Sequence, residues 1–202
     1  MSTRHLEGII LAAGESRRMG YPKPLLEVGG RTFIEQIAET MLAVVPRVVI
    51  VLGAYRDRVR AAIPRDTRIT IVENPNYARG QLSSLKVGLG AIHPDSNGAL
   101  VQLGDHPLVR VETFRSVADY YDRVDKPIVI ARYEGRRGHP VIFDRAVFGE
   151  LLSAPEEEGA RHVVNADPSR VAYVDLDDPG INLDLDTPAD LLRAGLPPPP
   201  KA

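Results

Sequence analysis

Gly8-Ile9-Ile10-Leu11-Ala12-Ala13-Gly14-Glu15-Ser16-Arg17-Arg18-Met19-Gly20-Tyr21-Pro22-Lys23 is the stretch from which the rest of the chain is read. Its first five residues form an apolar run that closes on small side chains, the pattern of a buried strand feeding a loop. From Ala13 to Gly30 the sequence is polar and rich in Gly and Pro, so it reads as a long loop. Small residues let backbone N–H groups approach an anion without obstruction. Arg18 and Lys23 add positive charge, the one as a planar fork and the other as a mobile point charge. No Lys-Ser or Lys-Thr follows the second Gly at Walker spacing, and the Gly pattern is not a dinucleotide fingerprint. Taken alone, the segment also fits a surface loop with solvated charges.

Outward from this loop, β-branched and apolar runs alternate with helical patterns. Strands are expected at Arg47 to Leu52, Ile69 to Val72, Gly98 to Leu103 and Pro127 to Ala131. Helices are expected from a Thr32 cap to about Ala43, with Glu35 at the capping-box position, and over Tyr55 to Ile63, Ser83 to Ile92 and Glu112 to Val124. Such alternation predicts an α/β domain whose mostly parallel sheet is covered on both faces. After Arg132 the rhythm changes. Gly138 to Phe143, a helix near Ala146 to Leu152, and Val171 to Leu176 read as a small mixed C-terminal extension, and a last helix begins at Thr187-Pro188. Ligands of open sheets sit beyond the strands' carboxyl ends, so the loops after Ala12, Val72 and Leu103 are the expected site.

The 202 residues suit one domain, with a core over about residues 8–195 and a Pro-rich tail over 196–202. A formal net charge of −2 gives no global field for nucleic acid. The absence of cysteine excludes a thiolate metal site and a cysteine nucleophile. Met1 to Glu7 is short and polar, and no apolar run suits a leader or a membrane span, so a cytoplasmic protein without a membrane partner is expected.

Leu11-Ala12-Ala13-Gly14-x-Ser16-x-Arg18-Met19-Gly20 followed by Lys23 resembles the opening motif of the molybdenum cofactor cytidylyltransferases, nucleotidyltransferases with a Rossmann-like sheet. The resemblance continues through Gly80-Gln81-Leu82-Ser83-Ser84-Leu85, Gly104-Asp105-x-Pro107, Gly138-His139-Pro140 and Asp184-Leu185-Asp186-Thr187-Pro188, covering about Gly8 to Leu192. It implies a three-layer fold like that of the nucleotide-diphospho-sugar transferases. It also implies Mg²⁺-dependent transfer of CMP from CTP to a phosphorylated acceptor such as molybdopterin, with release of pyrophosphate. A target molybdoenzyme is a further partner it suggests.

Asp105 ends an apolar strand beside the first loop, and the resemblance makes it the Mg²⁺ carboxylate; Gly-Asp-x-Pro is equally good turn chemistry. For a second ligand, Asp175, Asp177, Asp178, Asp184, Asp186 and Asp190 form an acidic stretch of mostly solvated or capping residues. The resemblance favours Asp186, with Asp184 in reserve. The two share a face of an extended segment, and Asp186 also suits a helix cap.

The resemblance assigns the nucleotide to Leu11, Ala12, Ala13, Gly14, Lys23, Gly80, Gln81, Ser83, Ser84 and Gly104, and catalysis to Arg18, Lys23 and Asp105. A plain Ser cap is the competing reading of Ser83 and Ser84. Guanylyl-transferring relatives carry Gly at the position of Ala13, and a methyl there crowds a purine, which implies CTP. Arg136, Arg137 and His139 are the acceptor candidates; an exposed turn with solvated arginines fits them as well. His106 departs from the Gln or Met expected after the motif Asp. Competing functions are a GTP-using, sugar-phosphate or other small-molecule nucleotidyltransferase on the same scaffold, and a non-catalytic nucleotide-binding module.

Overall fold

The computed structural model describes residues 4–200, so the ends of the polar amino-terminal stretch and of the Pro-rich tail lie outside the described residues. Strand β1 (Leu6–Ala12) is almost wholly buried and runs parallel to both its neighbours, β4 (Val48–Leu52) and β6 (Gly98–Leu103). Between β1 and β4 the chain forms a two-strand ribbon, β2 (Glu27–Val28) with β3 (Arg31–Thr32), and helix α1 (Phe33–Leu42). The expected loop is therefore structured at its far end: a single 3₁₀ turn at Lys23–Leu25 leads into the ribbon. Strands of two residues carry no readable alternation, which is why a loop was the natural expectation there.

Helix α2 (Arg56–Ala62) leads to β5 (Ile69–Glu73), α3 (Gln81–Ala91) to β6, and α4 (Val111–Arg123) to β7 (Ile128–Tyr133). Strand β8 (Arg136–Asp144) then turns back, and α5 (Phe148–Ser153), α6 (Arg161–Ala166), β9 (Val171–Asp175) and α7 (Pro188–Arg193) complete the chain. The seven-stranded sheet has the order β5-β4-β1-β6-β8-β7-β9. Only β8 is antiparallel to its neighbours, and it lies between β6 and β7, so the mixed portion is continuous with the parallel one.

Alternation along β1 sends Ile10 to one face and Ile9 to the other. Ile10 packs with Ile34, Ile37 and Met41 of α1 and Phe114 and Tyr121 of α4; Ile9 packs with Leu82, Leu85 and Leu89 of α3 and with Leu151 of α5. A third cluster joins Met19 and Leu26 of the first loop to Phe33, Leu185 and Leu191. This last cluster positions the site, because it fastens the loop after β1 to a segment more than 150 residues later in the sequence. Among the described residues no helix is long and apolar enough to cross a membrane.

Candidate active site

The carboxyl ends of β1 and β6 and the start of α3 enclose a cleft of about 290 Å³. Leu11, Ala12, Ala13, Gly14, Lys23, Gly80, Gln81, Ser84, Gly104 and Asp105, all candidates from the sequence, line it, and Ser16, Pro24, Tyr77 and Leu103 complete it. Close approach explains one glycine here: a Cβ on Gly104 would lie 3.0 Å from the Leu11 carbonyl oxygen. A positive φ explains another, Gly80 at +107°, where the chain swings into α3.

Ser16 shapes the loop. Its carbonyl accepts the N–H groups of Met19 and Gly20, and its hydroxyl accepts that of Lys23 at 3.0 Å. Neither Ser16 nor Tyr77 was singled out in the sequence. Ser16 lies inside the motif, whereas Tyr77 offers no local signal.

Lys23 is the centre of the charged group. Its Nζ donates to Asp105 Oδ2 at 2.9 Å and to Asp186 Oδ1 at 2.5 Å, with its side chain only 12% exposed. Burial alone would lower the Lys23 pKa, but Asp105 and Asp186 reverse this and hold it above its usual value. Burial likewise works to raise the Asp105 carboxyl, while His106 and Lys23 hold it below the carboxylate range. Arg18, largely exposed, reaches the other oxygen of Asp186 at 2.7 Å.

Asp186 and Asp184 have different partners. Leu185, buried in the third cluster, leaves the carboxylates on either side of it outside that core. Asp186 joins Lys23 and Arg18; Asp184 lies 3.4 Å from His106 Nε2. Thr187, not Asp186, caps α7, in a capping box with Asp190. Asp178 is no solvated loop residue: it is buried, accepting from Arg110 N–H and the Thr113 hydroxyl.

Two further candidates lie outside the cleft. The Ser83 hydroxyl does not line the cleft; Asn74 donates to it at 2.8 Å and it donates to the Gly80 carbonyl at 2.7 Å, so it braces the turn into α3. Arg136 is exposed and lines neither this cleft nor its neighbour. That neighbour, about 480 Å³, shares Leu11, Gly80 and Gln81 with the first cleft and is walled by Leu85, Val141 and Phe143, with Arg137 and His139 at its edge. Burial, together with His106, pushes His139 down to about 3 against the pull of Asp105, so its ring is neutral. Of the three acceptor candidates, Arg137 and His139 line this second cavity and Arg136 does not.

A mostly parallel seven-stranded sheet with helices on both faces and a cleft at its carboxyl edge matches the α/β fold of a nucleotidyl transferase from Methanothermobacter thermautotroptrophicus (TM-score 0.79, 21% identity, 94% of this chain and 95% of that one covered). The chain belongs to the MobA-like NTP transferase domain family, whose model matches residues 8–171. It is therefore an enzyme of the nucleotidyltransferase group. Among its relatives, nicotine blue oxidoreductase of Paenarthrobacter nicotinovorans is 35% identical over 92% of this chain and 94% of that protein. Molybdenum cofactor cytidylyltransferase of Escherichia coli K12 is 25% identical over 94% and 95%. Rv0371c of Mycobacterium tuberculosis H37Rv superposes with a TM-score of 0.82 at 33% identity, covering 96% of this chain and 98% of that one. The same protein has been solved in complex with manganese (TM-score 0.77, 31% identity, 94% and 97% covered).

Proposed function

We propose that the chain transfers CMP from Mg²⁺-bound CTP to a phosphorylated acceptor of the molybdopterin type, releasing pyrophosphate. The observation that carries this reading is the meeting of Asp105 and Asp186 on one cation, Lys23 Nζ, which with Asp105 lines the cleft beside the loop after β1. Among the described residues no three or more His, Cys, Asp or Glu form a protein-only metal cage. Two carboxylates suit Mg²⁺, which keeps waters and takes substrate phosphate oxygens as its remaining ligands. The manganese complex of Rv0371c supports a divalent ion. Bound by Asp105 and Asp186, Mg²⁺ would offset phosphate charge as it develops.

The chain's own residues do the rest. Backbone N–H groups around Ala13 and Gly14 face the triphosphate, while Lys23 and Arg18 neutralise its oxygens. A phosphate oxygen of the acceptor attacks the α-phosphorus in line. It is already ionised at neutral pH, so alignment and charge neutralisation suffice without a general base. Arg137 and His139 border the adjoining cavity, where the acceptor would lie. NTPs and Mg²⁺ are abundant cytoplasmic solutes, which suits a cytoplasmic location; a molybdoenzyme would then receive the product. Pyrophosphate release with Mg²⁺, a molybdopterin acceptor and each of CTP, GTP, ATP and UTP tests this. CTP should give the fastest release, and no release with any pair would end the proposal.

The relative named nicotine blue oxidoreductase favours a second reading, an oxidoreductase acting on nicotine blue on the same scaffold. Reduction of nicotine blue by the chain with an added reductant, without pyrophosphate release, would select it.

A further inference from the structure

We propose that His106 is a positioning residue that latches Asp184 to the carboxyl end of β6, so that Asp186 alone of the pair joins Asp105 at the metal. This rests on the nucleotidyl-transfer reading for the metal, but not for the latch. His106 is 5% exposed, and its carbonyl accepts from the buried Gln102 amide at 3.2 Å, which fixes its backbone at the strand end. Its Nε2 lies 3.4 Å from Asp184 Oδ1 and 3.8 Å from Asp105 Oδ1, and the edge of its ring meets His139 at a centroid distance of 6.1 Å.

Both carboxylates face Nε2, and Nδ1 is buried without a partner. The ring therefore places an N–H toward the carboxylates, whichever other proton it carries. Asp184 comes from the segment before α7 and Asp105 from the turn after β6. The approach of Asp184 Oδ1 to within 3.4 Å of the imidazole, with Asp105 at 3.8 Å, holds that segment against the strand end. Leu185, packed in the third cluster, then sets Asp186 beside Lys23. An aliphatic side chain at 106 would keep the packing but lose the donor, whereas Gln keeps an amide N–H.

The test compares His106→Leu, His106→Gln, Asp184→Ala and the His106→Leu/Asp184→Ala pair, using the full chain. One readout is amide exchange over residues 183–187. The other is Mn²⁺ affinity with a non-hydrolysable CTP analogue, followed by electron paramagnetic resonance. His106→Leu should speed exchange and weaken Mn²⁺ by roughly three- to tenfold, the scale of one modest polar interaction. His106→Gln should restore both, and Asp184→Ala should add almost nothing to His106→Leu. Asp184 is 70% exposed, so its Ala variant tests the latch even if His106→Leu fails to fold.

Wild-type exchange in Asp184→Ala, full additivity of the two changes, or no rescue by Gln would overturn the proposal. So would a loss of Mn²⁺ in Asp184→Ala far larger than in His106→Leu, which would make Asp184 a ligand. Failure of the wild-type chain to bind Mn²⁺ with the analogue would strike the nucleotidyl-transfer reading instead, and the exchange data would still decide the latch.

Discussion

Lys23 faces two carboxylates, so the cluster it holds is one positive charge short unless Arg18 is counted. A site in that balance can accept a divalent cation once the lysine turns to phosphate. Lys23→Ala and Asp105→Ala should each fold and lose roughly 10²–10³ in turnover, the usual loss for one charge-stabilising group; steady-state pyrophosphate release measures it. Ala13 lines the same cleft, and its methyl is the only difference proposed to exclude purines. Ala13→Gly should move the CTP/GTP ratio of kcat/KM toward GTP by an amount worth about 1–3 kcal/mol. An unchanged ratio would remove the argument for CTP. At this scale the first loop was legible because its chemistry is local. Asp178 was not: its partners Arg110 and Thr113 are 68 and 65 residues away, and no local pattern shows that the carboxylate is buried.

Helix α1 follows the β2–β3 ribbon and, through Phe33, packs against Met19 and Leu26 of the first loop. Thr32 and Glu35 form the capping box that sequence spacing predicts, satisfying the N–H groups at the helix start. Thr32→Ala should cost about 1 kcal/mol in denaturant unfolding. Hydrogen bonds from Thr32 hold the Glu35 carboxyl below its ordinary value of 4.5. Because the folded value is the lower one, the unfolded chain binds the extra proton. The contribution is therefore complete above the ordinary value and fades as pH falls through the folded one. Thr32→Ala should flatten that part of the stability–pH curve, measured by denaturant midpoints below pH 5. Capping chemistry is written in adjacent residues, so α1 was readable from Thr32 and Glu35, whereas α7 was read from Pro188 and its cap is Thr187. Helix α6 has six residues and too little periodicity to be seen, and the Ser83 hydroxyl looked like a ligand because its true partner, Asn74, belongs to the preceding turn.

Across the whole molecule, the site depends on joining the first loop to the segment before α7. Leu185 is fully buried among Met19, Leu26, Phe33 and Leu191, and that cluster brings Asp186 to Lys23. Leu185→Ala should cost about 2–5 kcal/mol on unfolding. It should also raise the KM for metal-nucleotide more than it lowers kcat, since it loosens the carboxylate rather than removing it. The parallel sheet and its carboxyl edge followed from alternating strand and helix patterns. Insertion of the antiparallel β8 between β6 and β7 did not, because strand order depends on long-range pairing that no single run encodes. The central claim is that a cationic loop and two distant carboxylates share one metal-triphosphate. Crystals grown with Mn²⁺ and a non-hydrolysable CTP analogue, measured at the manganese edge, test it most directly. An anomalous peak bounded by Asp105 and Asp186 is expected, with phosphates against Ala13, Gly14 and Lys23. A metal peak away from both aspartates, or triphosphate outside that loop, would contradict it.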